Sequence, residues 1–172
     1  MEFISAHPDV KVIDMGVGEP EEVTDPSIIE TLFTQAQLKE NRIYPCNGIV
    51  EFQEAAARYL KREFAISVDP KTEVMHCVGT KTALAQIPLA FINPGDKVVA
   101  TVPGYPVLPC VAKWLGGQMI HVPLYSKHNF LPDMKEFEAL VKKERPKLVL
   151  LNYPNNPTGG VATKEFFTRI VG

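Results

Sequence analysis

Three short stretches hold residue types that could do chemistry together. Gly79-Thr80-Lys81 falls between an apolar run and a helical pattern. Exposed N–H groups at a helix start, a hydroxyl and an ammonium form a natural anion site. Tyr105 sets an aromatic ring beside a turn made by Pro103, Gly104 and Pro106. Asn156 precedes Pro157, which forces it out of helical geometry, and Gly159 and Gly160 admit positive φ. Each has a plainer reading: a capped helix with a solvated lysine, a ring in the core or on the surface, a simple turn. A turn needs no second asparagine, however. An anion site, a flat ring and a fixed amide at neighbouring strand ends together describe a pocket for a flat phosphorylated heteroaromatic. The Asn156–Pro157 bond is expected to be cis, because cis costs little only before proline, ~0.5–1 kcal/mol.

A dinucleotide site competes with this reading and fails on detail. "GVGEPE" (16–21) offers two glycines of a G-x-G-x-x-G, but Glu21 stands at the third position, where a carboxylate would repel pyrophosphate. No G-x-x-x-x-G-K-[ST] occurs. The four histidines are isolated from one another and are read as structural or solvent-exposed. Cys46, Cys77 and Cys110 are odd in number and lack any Cys-x-x-Cys. They argue for free thiols in a reducing, cytoplasmic setting and against disulfides or a zinc site.

These residues need a scaffold. A 172-residue chain with 45% hydrophobic and 22% charged residues suits one soluble domain with its own core. A net charge of −2 gives no reason to expect nucleic acid or an acidic membrane as partner. No stretch approaches a membrane span, and the start lacks the layout of a signal peptide.

Apolar spacing predicts helices over 25–41, 48–64, 80–92, 105–117, 131–146 and from 162 onward. Near-continuous apolar runs predict strands at 73–79, 97–102, 118–124 and 147–153. Strand and helix alternate, so the expected class is α/β: a mainly parallel sheet of about four strands in a three-layer α/β/α arrangement. "LLNYPNNPTGG" (150–160) then reads as a buried strand stopped at its carboxyl end, where open α/β sheets keep their ligands.

At this point the chain resembles the amino-terminal half of the fold-type-I pyridoxal-phosphate-dependent aminotransferases of class I/II. The matching elements are "GVGEPE", "YPCNGIVEFQEAAARYL", "VGTKTAL", "NPGDKVVATVPGYPVL" and "NYPNNPTGG", in the family's order and spacing over nearly the whole chain. The branch it looks most like is LL-diaminopimelate aminotransferase. The resemblance implies an aspartate aminotransferase-like large domain, present in part, over 25–172. Residues 1–24 would contribute to a small domain. It also implies pyridoxal 5′-phosphate as cofactor and amino-acid and 2-oxo-acid substrates. Thr80 and Lys81 would hold the cofactor phosphate, Tyr105 would stack on the pyridine ring and Asn156 would hydrogen-bond its phenolic oxygen. Gly18 would offer its N–H near the substrate carboxylate. Tyr44 would reach the phosphate of a partner subunit's cofactor, in a homodimer.

The family's Schiff-base lysine, the aspartate that pairs with the pyridine nitrogen and two anion-binding arginines have no matching position here. Lys81 is no substitute, since "GTK" lies on the phosphate side and covalent catalysis needs an amine at the aldehyde carbon. The chain by itself is therefore expected to be inactive and to be part of a longer enzyme. Two further readings stay open on the sequence: a non-catalytic ligand-binding module of the same fold, and a fold-type-I lyase.

Overall fold

Residues 5–13, 16, 18–45 and 48–172 are described by a computed structural model; Cys46 lies outside them. The chain divides into two units, residues 1–49 and 50–172. In the first, helix α1 (Pro26–Ala36) starts where the sequence places it. The Asp25 carboxylate accepts from the Ser27 backbone N–H (2.8 Å) and hydroxyl (2.6 Å), and Pro26 occupies the first turn, where its missing N–H loses nothing. A 3-10 turn follows at Lys39–Arg42. None of α1's residues is buried.

The second unit carries α2 (Val50–Phe64), α3 (Thr80–Phe91), β1 (Lys97–Val102), α4 (Val107–Trp114), β2 (Gln118–Pro123), α5 (Met134–Glu144), β3 (Leu148–Leu150) and α6 (Lys164–Val171). All strand pairing is parallel, in the order β2-β1-β3, with Val99 opposite both Ile120 and Val149. The pleat sends alternate residues to opposite faces. Val98 packs with Leu108 and Ala112 of α4 and with Leu84 and Ile87 of α3, joined by Met119, Leu148 and Leu150. Val99 and Val122 pack with Phe137 of α5 on the other face, joined by Ile120, Val149 and Ile170 of α6. Val98 and Val99 are both fully buried, as a central parallel strand covered on both faces requires. This is the three-layer α/β/α architecture.

The sheet differs from expectation in two places. Residues 73–79 form no strand, so among the described residues three strands stand where about four were expected. An apolar run becomes a strand only if a partner edge meets it. Here Val74 is held instead by the buried Gln53 amide, whose Nε2 donates to its carbonyl (3.0 Å), and the His76 ring meets Phe52 edge-on. The strand expected over 147–153 ends at Leu150. Pro154 and Pro157 have no N–H to give a ladder, and the chain turns away before them.

The order β2-β1-β3 fixes where a ligand can enter. The chain leaves β1 into α4 on one face of the sheet and leaves β3 into α6 on the other. Two adjacent parallel strands whose connections diverge in this way open a crevice at their carboxyl ends, the topological switch point of an open α/β sheet.

Candidate functional site

A cavity of about 460 Å³ occupies that crevice. Thr80 and Lys81 line it from the start of α3, Tyr105 from the turn after β1, and Asn152, Pro154 and Asn156 from the turn after β3. Leu84, Leu108, Leu150 and Leu151 supply its apolar wall. Lys81 is the single charged residue among these, and no carboxylate accompanies it. The volume falls within the range of small-molecule sites, ~300–1,000 Å³.

Each polar group reaches the crevice for a local reason. Gly79, with φ +75°, ends the preceding segment in the left-handed region and caps α3 without a side chain, so no residue there competes for the N–H groups of the first turn. Thr80 and Lys81, the first two residues of that turn, both line the cavity. Gly104 lets the turn after β1 fold tightly against the strand, since a Cβ on it would lie 2.5 Å from the Thr101 carbonyl oxygen. Gly104→Ala is therefore expected to lower stability by more than ~1 kcal/mol and to displace Tyr105. A fall in melting temperature with altered near-ultraviolet circular dichroism would register it; an unchanged pair would mean the turn yields freely.

The turn after β3 is built around Asn155, which is 3% exposed. Its N–H donates to the Gly160 carbonyl (2.8 Å), and its own carbonyl accepts from the Gly159 N–H (2.7 Å). Its side-chain Nδ2 donates to the Thr158 hydroxyl oxygen (2.8 Å) and to the Pro103 carbonyl (3.2 Å). The neighbouring Asn156 is exposed to the cavity. The second asparagine of "NNPTGG" thus has its explanation: one amide builds the turn while the other faces the crevice. Sequence reasoning singled out Asn156 and passed over Asn155. The Asn156–Pro157 bond is cis as expected; Val102–Pro103 and Tyr153–Pro154 are cis as well, which was not expected.

Tyr153 fastens the same turn on its far side. Its hydroxyl donates to the Phe130 carbonyl (3.2 Å), and its ring meets Phe166 and Phe167 edge-on. Burial pushes this hydroxyl up to about 12, from an ordinary value near 10. A folded-state value above the unfolded one stabilises the fold fully below about pH 10, and that contribution disappears as pH rises through about 12. The melting temperature should therefore fall more steeply over this interval in the wild type than in Tyr153→Phe. Parallel curves would remove Tyr153 as the group responsible.

The sequence-derived residues Thr80, Lys81, Tyr105 and Asn156 are brought together in one crevice. Gly18 and Tyr44 belong to the amino-terminal unit, where both are exposed. Cys77 and Cys110 are free thiols. No described helix is long and apolar enough to cross a membrane.

Comparison with known proteins adds four findings. Residues 10–172 match the family model described as aminotransferase class I and II. The chain is 47% identical over 171 residues to LL-diaminopimelate aminotransferase of Methanocaldococcus jannaschii, covering 99% of this chain and 41% of that protein. It is 46% identical over 166 residues to the enzyme of the same name from Methanococcus maripaludis, covering 96% of this chain and 40% of that protein. Among solved structures it superposes on an aminotransferase from Staphylococcus aureus with a TM-score of 0.86 and 32% identity, covering 94% of this chain and 43% of that one. The chain thus spans about two fifths of the length of the curated relatives it matches.

Proposed function

The chain belongs to the class I and II aminotransferases, and on that basis we propose that the whole protein transfers an amino group between an amino acid and a 2-oxo acid, with pyridoxal 5′-phosphate as cofactor. The observation that carries the proposal is the switch-point crevice, with one cation, no carboxylate, a ring and an amide around an apolar wall. These groups fit a flat, phosphorylated heteroaromatic. The N–H groups of the first turn of α3, the Thr80 hydroxyl and the Lys81 ammonium would hold the phosphate. The Tyr105 ring would cover one face of the pyridine, and the Asn156 side-chain N–H would donate to its phenolic oxygen. Leu84, Leu108, Leu150 and Leu151 would keep water from that contact, which strengthens its electrostatics. When bound, the cofactor supplies the electron sink for the bond broken at the amino acid's α-carbon.

The name shared by the relatives points the proposal to LL-diaminopimelate as amino donor, and 2-oxoglutarate is proposed with it as acceptor. The rest of the assignment is part of the same proposal. Gly18 presents its N–H to the substrate carboxylate, and Tyr44 reaches the cofactor phosphate of a second subunit in a homodimer. Residues 1–24 belong to a smaller domain, residues 25–172 belong to the cofactor-binding one, and the protein works in the cytoplasm. The test is to incubate the whole protein with pyridoxal 5′-phosphate, 2-oxoglutarate and LL-diaminopimelate and to measure glutamate. Glutamate formed only when donor and cofactor are both present is the expected result. No glutamate from this or any other amino acid would refute the proposal.

A further inference from the structure

We infer that Asn155 is a positioning residue of the crevice: its buried side-chain amide ties the turn after β1 to the turn after β3 and so sets the spacing between Tyr105 and Asn156. The inference rests on the functional reading above for its consequence in cofactor binding, but the tie itself rests on geometry alone. Nδ2 carries two N–H donors, and both are used, one on the Pro103 carbonyl of the first turn and one on the Thr158 hydroxyl oxygen of the second. The Pro103 contact spans 52 positions of sequence and joins the two connections that diverge at the switch point.

The acceptor side of the same amide shows what the residue is kept for. Oδ1 of Asn155 is buried and has no hydrogen-bond partner among the described residues. An unpaired buried acceptor is unfavourable, and most buried polar atoms are paired. A residue needed only to shape the turn could be a serine or a threonine, whose single hydroxyl can donate to Thr158 without burying a second, unpaired oxygen. Neither offers two N–H donors on one atom, and the tie needs two. Asn155 is therefore retained for its donors, and what those donors join is the Tyr105 turn and the Asn156 turn. Asn155 does not line the cavity, so it acts through its neighbours.

The experiment is amide hydrogen exchange on the whole protein, wild type against Asn155→Ala, with pyridoxal 5′-phosphate affinity measured on both. Three amides report. Cys110 N–H, bonded to the Pro106 carbonyl, follows the turn after β1; Gly159 N–H follows the turn after β3; Lys147 N–H, bonded to the Lys97 carbonyl at the far end of β1, is the reference. The expected result is exchange at least tenfold faster at both Cys110 and Gly159 with Lys147 unchanged, and at least tenfold weaker cofactor binding. Faster exchange at Gly159 alone would make Asn155 a local turn residue and overturn the tie. Faster exchange at all three would reduce it to general stability. Asn155→Ser, whose hydroxyl is too short to serve both acceptors, should give the same pattern in milder form if the alanine variant does not fold. If both turns loosen while the wild type takes up no pyridoxal 5′-phosphate, the tie stands and the functional reading fails. If the cofactor binds and Cys110 is unmoved, the reading stands and the tie fails.

Discussion

Replacing Lys81 with alanine in the whole protein should weaken binding of pyridoxal 5′-phosphate roughly ten- to a hundredfold, because a hydrogen bond to a charged group contributes ~1.5–3 kcal/mol. Among the described residues Lys81 is the single charged one lining the crevice, so no neighbour within this chain can take over its role. Its side chain is exposed and makes no ion pair among the described residues, so stability should be unchanged. The loss should also shrink at high salt, which screens the wild-type contact. A titration by absorbance or calorimetry measures the affinity. Equal affinities in wild type and variant would return Lys81 to the plainer reading of a solvated lysine on a helix start.

Phe137→Ala should destabilise the fold by ~3–5 kcal/mol, the usual result of emptying a buried phenylalanine site. Phe137 is 4% exposed and is the residue by which α5 closes the second face of the sheet over Val99 and Val122. The cavity left behind cannot collapse easily, because Val99 is fixed in the central strand and paired on both sides. Urea denaturation of the whole protein measures the change. A shift below ~1 kcal/mol would mean that α5 is loosely held and that the second layer is not a true core.

Much of this architecture can be read from the residues alone. The strand at 97–102 is legible at both ends because its run of apolar residues is bounded by Gly95-Asp96 and by Pro103. The starts of α1 and α5 were visible in Asp25 and Asp133, whose carboxylates accept from the first-turn N–H groups. What misled was pairing. Residues 73–79 have the composition of a strand, but composition does not say whether an edge lies beside them. The site was legible where a residue type announces its chemistry, as with Lys81, Tyr105 and Asn156. Asn155 was not, since its role depends on a carbonyl 52 positions away and no local pattern marks that distance. Nor does anything in the sequence separate the cis bonds at Pro103 and Pro154 from the trans bonds at other prolines.

The central claim is that the crevice between β1 and β3 is the cofactor site, with the phosphate at the start of α3. A crystal structure of the whole protein grown with pyridoxal 5′-phosphate tests it most directly. The account predicts phosphate oxygens within hydrogen-bond reach, ~2.7–3.2 Å, of the N–H groups of Thr80 and Lys81. It also predicts the pyridine ring against Tyr105, with the Asn156 amide at the phenolic oxygen. Density for the cofactor in another cavity of the same unit, such as that beside His121, His128 and Asp133 at the end of β2, or in the crevice with its phosphate turned away from Lys81, would contradict it.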